Sequence, residues 1–330
     1  MRAWLMDSYE GTEKLRMGEV SDPRPGPEEV LLKLRFAGLN PADAFLAKAM
    51  YPAKPALPHI LGRDGIGDVL STRGSVENVQ PGDTVGILRC EAGVNTWGTL
   101  AELTVVPAAS VVPVAKGWSL EEMAGAPLVY LTAWQALTQW SGPPAPPPAE
   151  SVLLITGASG GVGTAAVHLG KSMGLIVIAL SRSEEKRSRL LQLGANFAFD
   201  PADKNLRQAV SAAIAAKKVD LVVDNVGGSL FHQVVAMLGY AGKISVVGRS
   251  GGAVPEFNTA TLFFRRNRIG GVAVSDYTPQ QAQTAWAEIV SRLNAAGQKP
   301  VIDTIFPFEE VKSAFRRLDE GPVGKVLVRI

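Results

Sequence analysis

The chain holds 330 residues, 46% hydrophobic and 19% charged, with 33 Lys plus Arg against 31 Asp plus Glu. At roughly 150 residues per domain this length predicts about two domains, each able to bury a core, and the composition excludes a disordered chain. A net charge of +2 argues against nucleic acid or a membrane surface as the main partner, while one Cys and three scattered His exclude a disulfide framework and a Cys-rich zinc site.

Up to about Ala126 the pattern is one of short strands and turns. Residues 30–39 read as a strand between Pro25-Gly26-Pro27 and Asn40-Pro41, and a second run follows Gly62. Gln80-Pro81-Gly82-Asp83 is a turn feeding residues 84–88, and 100–106 and 110–114 continue the series. Such spacing predicts a partly open β-barrel. Ser119-x-x-Glu122 has the form of a capping box that opens a short helix, and 128–140 should be helical. The proline-rich segment 142–149 can be neither helix nor central strand, because proline lacks the donor and fixes φ.

From Ser151 strands and helices alternate. Residues 151–156, 175–181, 197–199, 219–224 and 244–247 are short apolar runs, separated by helical stretches at 162–173, 183–193, 204–216 and 229–238. Near-continuous apolar strands between helices indicate an α/β fold with a parallel sheet covered on both faces. The tail carries helices at 279–296 and 308–319 and a last strand at 324–330. No apolar run approaches the ~20 residues of a membrane helix and no apolar h-region follows Met1, which reads as a soluble cytoplasmic protein.

Residues 151–163 join the first of these strands to its helix through a glycine-rich turn. In the register Ala158-x-Gly160-x-x-Gly163 they match the dinucleotide fingerprint, with Ala at the first position. The small residues permit a tight turn, close backbone approach to a pyrophosphate and packing of helix on strand. The helix N-terminus adds free N–H groups and a positive dipole end. Ser159, Gly160, Gly161, Val162 and Gly163 are therefore the candidate phosphate contacts. An NAD-preferring chain ends the second strand in an acid; this one ends Leu180-Ser181-Arg182, with Lys186 one turn on. The missing acid points to NADPH. Glu184 is explained by a capping box Ser181-x-x-Glu184, and Arg187 by a solvated helix face.

Gly38-Leu-Asn-Pro-Ala-Asp43, Tyr51-Pro52, Leu57-Pro58, Gly62-Arg-Asp-Gly65 and Val79-Gln-Pro-Gly-Asp-Thr-Val85 follow one another in the first half. Leu131-Thr-Ala-Trp-Gln-Ala-Leu137, Gly160-Gly-Val-Gly163, Asp224-Asn-Val-Gly-Gly228, Arg265-Arg266-Asn267 and Gly324-Lys-Val-Leu327 complete the series. In these motifs and their order the sequence resembles the zinc-free branch of the medium-chain dehydrogenases/reductases, the quinone oxidoreductase-like proteins. The resemblance implies a Rossmann doubly wound sheet plus a GroES-like catalytic barrel. The barrel would span 1–126, completed by 276–330, and the NADPH-binding domain 127–275.

Zinc enzymes of that family place Cys where this chain has Asn40, and His-Glu where it has Arg63-Asp64. Asn and Arg do not replace a thiolate and an imidazole as zinc ligands. The resemblance further implies Asn40 beside the nicotinamide and Tyr51 near the reacting carbonyl, where a phenol can act as general acid; read alone, Tyr51-Pro52 only shapes a loop. Thr132 would face the nicotinamide end, and Ser181, Arg182 and Lys186 would hold the 2′-phosphate. Asn225 and Gly248-Arg249-Ser250 would end later strands at the carboxyl edge of the sheet. Asp43 is read as a helix cap. One departure stands out: Asp200-Pro201-Ala202 where members often carry Asn-Tyr-Arg.

The implied activity is metal-free, NADPH-dependent hydride transfer to quinones or α,β-unsaturated carbonyl compounds. An enoyl-thioester reductase is the alternative, since Tyr51-Pro52 and Asn95-Thr-Trp97-Gly98 resemble that sister branch too. An NADPH-binding structural or RNA-binding protein with little catalysis is the alternative from another class. A homodimer is implied, with 269–274 as a strand-pairing edge. His168 reads as a packed residue, His232 as one inside a helix and Cys90 as a small apolar one. Arg265-Arg266-Asn267-Arg268 reads as a solvated or cofactor-proximal loop.

Overall fold

Period-2 alternation decides the central strand of the first unit. Glu29–Gly38 buries Val30, Leu32, Leu34 and Phe36 and exposes Lys33 and Arg35. The computed structural model, which describes residues 1–142, 144–253 and 259–330, places this strand in the middle of a seven-stranded sheet. It pairs antiparallel with Asp64–Arg73, Leu103–Pro107 and the C-terminal strand Lys325–Arg329. Thr84–Ile87 and Val111–Pro113 extend one side, and Ile302–Pro307, parallel to the last strand, closes the other. Val30, Leu32, Leu34, Val69, Val85, Ile87 and Val106 fill the interior. A smaller sheet of Arg16–Glu19, Arg2–Met6 and His59–Ile60 lies in the same unit. Ser119 caps Leu120–Ala124 as its spacing requires, with Oγ taking the Glu122 N–H and the Glu122 carboxylate taking the Ser119 N–H.

The chain divides into two units: Met1–Leu128 with Ser275–Ala287 and Lys299–Ile330, and Val129–Val274 with Glu288–Gln298. The C-terminal tail is thus shared, because residues 288–298 of the long helix Pro279–Ala295 and its exit group with the second unit. Pro143 of the proline-rich segment lies outside the described residues.

The second unit is a six-stranded parallel sheet. Its order is Phe197–Phe199, Ile176–Leu180, Val152–Ile155, Val219–Asp224, Leu238–Val246 and Arg268–Gly271. In chain order these are strands 3-2-1-4-5-6, the doubly wound arrangement, which reverses direction between Val152–Ile155 and Val219–Asp224. Val152–Ile155 is buried at every position, as a strand covered on both faces must be.

Two details differ from the sequence reading. The fifth strand begins at Leu238, not near 244, because Gly239 and Gly242 interrupt its apolar run. The basic cluster before the sixth strand is a tether: Arg265 Nη1 donates to the carbonyls of Ala236 and Leu238, and Asn267 Nδ2 to that of Gly239. No helix among the described residues is long and apolar enough to cross a membrane.

His168 is buried in the helix Gly161–Ser172, with Nδ1 hydrogen-bonded to the Tyr130 hydroxyl at 2.8 Å. Burial lowers its pKa from 6.5 to about 4. Between those values the unfolded chain binds the proton that the native state refuses, so stability is full above about pH 6.5 and falls as the pH drops toward 4. Asp43 acts oppositely: burial raises it from 3.8 to about 6, so its contribution is full below 3.8 and lost as the pH rises through 6. Thermal midpoints measured from pH 7 to 4 should therefore fall less steeply for His168→Gln than for the native chain, and more steeply for Asp43→Asn.

Candidate functional site

Sheet register assembles the polar centre of the first unit. Leu327 and Asp64 flank Gly38 on its two sides. Carried two residues further, the antiparallel register sets Asn40 opposite Lys325. Lys325 Nζ donates to Asp64 Oδ2 at 2.8 Å and to Asn40 Oδ1 at 2.7 Å. Asn40 Nδ2 donates to Asp64 Oδ2 at 3.0 Å and to the Gly38 carbonyl at 3.3 Å. Asp64 Oδ1 takes the Leu128 N–H. The Lys325 and Asp64 side chains are only 4% and 0% exposed. Gly38 permits the approach, since a Cβ there would lie 2.9 Å from the Ala124 carbonyl oxygen and 3.0 Å from Asp64 Cβ. Both N–H donors of Asn40 are engaged.

Asn40 opens the helix Pro41–Ala47, with Pro41 suited to the first helical position. Asp43 Oδ2 takes the Asn40 N–H at 2.9 Å, the reciprocal half of a capping box. Its Oδ1 is buried without a partner, and burial outweighs the opposing charge of Arg63 in raising this carboxyl. The helix stops in a Schellman turn: the Met50 N–H reaches the Phe45 carbonyl, the Ala49 N–H reaches that of Leu46, and Ala49 has φ 55°. This turn delivers Tyr51. Lys54 Nζ fixes the loop by donating to the carbonyls of Ala49 and Tyr51. The Tyr51 hydroxyl accepts from Arg63 Nη1 at 3.2 Å, and the guanidinium lies over its ring, 5.6 Å from the centroid. The expected pair Asn40 and Tyr51 thus comes with three partners not assigned there as site residues: Lys325, Asp64 and Arg63. Sequence offered one signal for them, the charged Arg63-Asp64 inside a glycine-bounded turn.

In the second unit the fingerprint turn has the form a diphosphate needs. Gly157 has φ 56°. A Cβ on Gly163 would sit 2.5 Å from the Ala158 backbone, so helix and turn touch only with glycine there. Gly160 is the N-cap of Gly161–Ser172 without a side-chain cap, and a Cβ on it would meet nothing closer than 3.7 Å. That space and the uncapped N–H groups fit a phosphate. Ser159, Gly161 and Val162 stand half-buried on the same turn.

Asp224 braces the carboxyl edge. Its Oδ1 accepts from Thr156 Oγ1 at 2.6 Å and from the N–H groups of Val226 and Gly227. Asn225 returns two bonds to Thr156, the Gly248 N–H reaches the Asp224 carbonyl, and Ser250 Oγ donates to the Asn225 carbonyl. Asn225, Gly248 and Ser250 are so drawn to the strand-order reversal, with Arg249 exposed beside them. Thr132 lies half-buried on the helix Pro127–Thr138.

The end of Ile176–Leu180 corrects one reading. The N-cap of Glu184–Leu193 is Ser183, whose Oγ accepts the Lys186 N–H, and not Ser181. Glu184 is then the first helical residue, two positions too early for a capping box, and stands exposed. Ser181 instead pairs its N–H with the Phe199 carbonyl. Arg187 is no solvated face: its Nη1 donates to the carbonyls of Ser181 and Arg182, both at 2.9 Å, and lies 3.6 Å from Asp200. Asp200, at the departure from the family's Asn-Tyr-Arg, anchors the residue that shapes this loop. Arg182 is exposed and Lys186 half-buried.

Lys325→Met would leave the Asp64 carboxylate buried and uncompensated, at a loss of about 3–5 kcal/mol in urea unfolding, and adding Asp64→Asn should recover most of it. Ala49→Gly should gain about 0.5–1 kcal/mol by removing a Cβ from a left-handed position, measured the same way.

Residues 26–116 match the family model for the alcohol dehydrogenase GroES-like domain, and 161–292 that for zinc-binding dehydrogenase. The chain is 28% identical over 333 residues to the quinone oxidoreductase of Mus musculus, across 99% of this chain and 97% of that one. It matches the crystal structure of an NAD-dependent alcohol dehydrogenase at 31% identity and a TM-score of 0.91, over 100% of both chains. A quinone oxidoreductase of Pseudomonas syringae pv. Tomato DC3000 matches at 25% identity and 0.88, over 100% of this chain and 99% of that one. Likenesses that run the length of the chain, over barrel and doubly wound sheet alike, make it a quinone oxidoreductase-like member of the medium-chain dehydrogenase/reductase family and an NAD(P)-dependent oxidoreductase.

Proposed function

We propose that the protein is a metal-free, NADPH-dependent reductase that transfers hydride to quinones or α,β-unsaturated carbonyl compounds. The observation that carries this reading is the Lys325 ammonium bonded to Asn40 and Asp64, two positions matched to zinc-ligand positions in the family's metal enzymes. These residues do not fit zinc. A divalent ion would meet a fixed positive charge and an amide whose donors are spent, in place of a thiolate. Among the described residues no three His, Cys, Asp or Glu side chains gather as a ligand set. Alcohol oxidation relies on a Lewis acid to hold the alkoxide. A conjugated acceptor needs only hydrogen bonds at the oxygen where charge develops.

The cofactor, when bound, supplies the hydride. Ser159, Gly160, Gly161, Val162 and Gly163 would take its diphosphate, and Thr132, Asn225, Gly248, Arg249 and Ser250 the remaining length. Ser181, Arg182 and Lys186 support the 2′-phosphate, since the strand Ile176–Leu180 ends without an acid and Arg187 holds the following loop in shape. Tyr51 donates its proton to the acceptor oxygen as charge builds there. Asn40, immobilised by Lys325 and Asp64, would lie beside the nicotinamide. The edge strand Arg268–Gly271, paired on one side within its sheet and carrying Ile269 at 39% exposure, suits pairing with a second copy.

Steady-state assays with a naphthoquinone, an enone and a crotonyl thioester should show the quinone or enone reduced fastest, with NADPH favoured over NADH. Preference for the thioester would replace this reading by enoyl-thioester reduction, and binding without turnover would favour a binding protein. Arg182→Ala with Lys186→Ala should raise KM for NADPH about tenfold more than for NADH, while equal effects would place the 2′-phosphate elsewhere. Tyr51→Phe should lower kcat by about a hundredfold and spare NADPH affinity. Metal analysis should find no stoichiometric zinc.

A further inference from the structure

We infer that Arg63 is the positioning residue of the proton donor: it holds the Tyr51 hydroxyl with its proton turned to the acceptor oxygen, and it stabilises the negative charge that Tyr51 acquires when that proton leaves. This rests on the reductase reading above.

The hydrogen-bond direction is forced. A guanidinium has donors and no acceptor, so in the 3.2 Å contact the phenol oxygen accepts. The hydroxyl proton therefore points elsewhere, and among the described residues no group takes it. Arg63 is also a half-buried cation that forms no salt bridge among the described residues. The nearby Lys325 charge is already matched by Asp64, and Asp43 spends one oxygen on the Asn40 N–H. A partly desolvated cation outside any ion pair is costly in a fold, and this one, with the Asp43 carboxyl in its field, lies across a phenol ring. Its position is inherited: Arg63 precedes Asp64, the fully buried carboxylate held by Lys325, Asn40 and the Leu128 N–H. The cation is therefore in place before any substrate arrives, and stabilising a developing anion requires no reorganisation.

For an enone the step balances as follows. The acceptor takes hydride at its β-carbon, its C=C pair becomes the bond between the α-carbon and the carbonyl carbon, and the carbonyl π pair moves to oxygen. That oxygen takes the Tyr51 proton. The acceptor is reduced by two electrons as NADPH is oxidised, the enol tautomerises, and the phenolate beside Arg63 regains a proton from water.

A double-mutant cycle tests the coupling. Arg63→Met should lower kcat about tenfold or more with KM for NADPH unchanged, and Arg63→Lys should keep most of the rate. In a Tyr51→Phe background Arg63→Met should cost less than about twofold, because the residue acts through the hydroxyl. Full additivity, or failure of Lys to rescue a folded protein, would overturn the inference. A second measurement needs no turnover: calorimetric binding of 4-nitrophenolate, a planar oxyanion, against neutral 4-nitroanisole. Arg63→Met should weaken the phenolate about fivefold or more and leave the anisole unchanged; equal phenolate affinities would sink the role. If the native protein reduced no acceptor, the reductase reading would fail, while the phenolate comparison would still decide the placement of Arg63.

Discussion

An ammonium group sealed from water against a carboxylate sets terms that the rest of the first unit must meet. Taking both charges out of water costs several kcal/mol per ion, so Lys325 and Asp64 add little net stability, yet removing either leaves a bare charge inside the fold. The pair therefore works as a constraint. It is satisfied in one register only, with Gly38 between its neighbouring strands, because a slip of one residue would turn Lys325 to the other face of the sheet. The returning C-terminal segment is thereby fixed to the middle of the barrel. Asn40 is immobilised in the same network, and Arg63 takes its place from the next position in the chain.

The nucleotide-binding unit shows a different economy, built on backbone groups. Phosphate recognition as proposed there needs uncapped N–H groups at a helix end, and glycine at 160 and 163 leaves that helix end uncapped and closely packed. What keeps so permissive a turn in one shape is the carboxylate of Asp224, which ties Thr156 and the Val226–Gly227 amides to the adjoining strand end. Arg187 does the corresponding work at the next strand, closing on two carbonyls and leaning on Asp200. In both places a buried or half-buried charge organises backbone.

Features that depend on neighbouring residues were legible in the sequence. The glycine turn, the capped helix at Ser119 and the alternation of apolar strands with helices each declare themselves within a dozen or so residues, and together they lead to the doubly wound order. The centre of the first unit could not be read this way, because Lys325 lies 261 residues from Asp64 and 285 from Asn40, and only strand register brings them together. Two nearer features were missed for other reasons. Ser181 and Ser183 both look like caps on paper, and backbone geometry chooses the second. Arg187 sits in a run of charges that resembles a solvent face, while two carbonyls of the preceding loop turn it inward. The fifth strand was shortened by its own glycines, which weaken the apolar signal without ending the pairing.

On the metal-free reading proposed above, the bonding of Lys325 to Asn40 and Asp64 changes how charge can be handled and not only which residues are present. A zinc ion in such a place would act on a substrate oxygen directly, by coordination. Lys325 cannot do so, since its ammonium is already bonded to two side chains and almost wholly buried. Its positive charge is spent internally, on Asp64, and on the same reading the work of supporting the Tyr51 phenolate passes to a group with donors to spare. Arg63 has them, because it forms no salt bridge among the described residues and gives one N–H to Tyr51. Because that contact leaves the phenol proton unspent, charge and proton can be delivered by one fixed pair of side chains, for which rigidity matters more than reach. On the reading proposed above, the buried ion pair of Lys325 and Asp64 provides the frame from which Arg63 and Tyr51 deliver charge and proton.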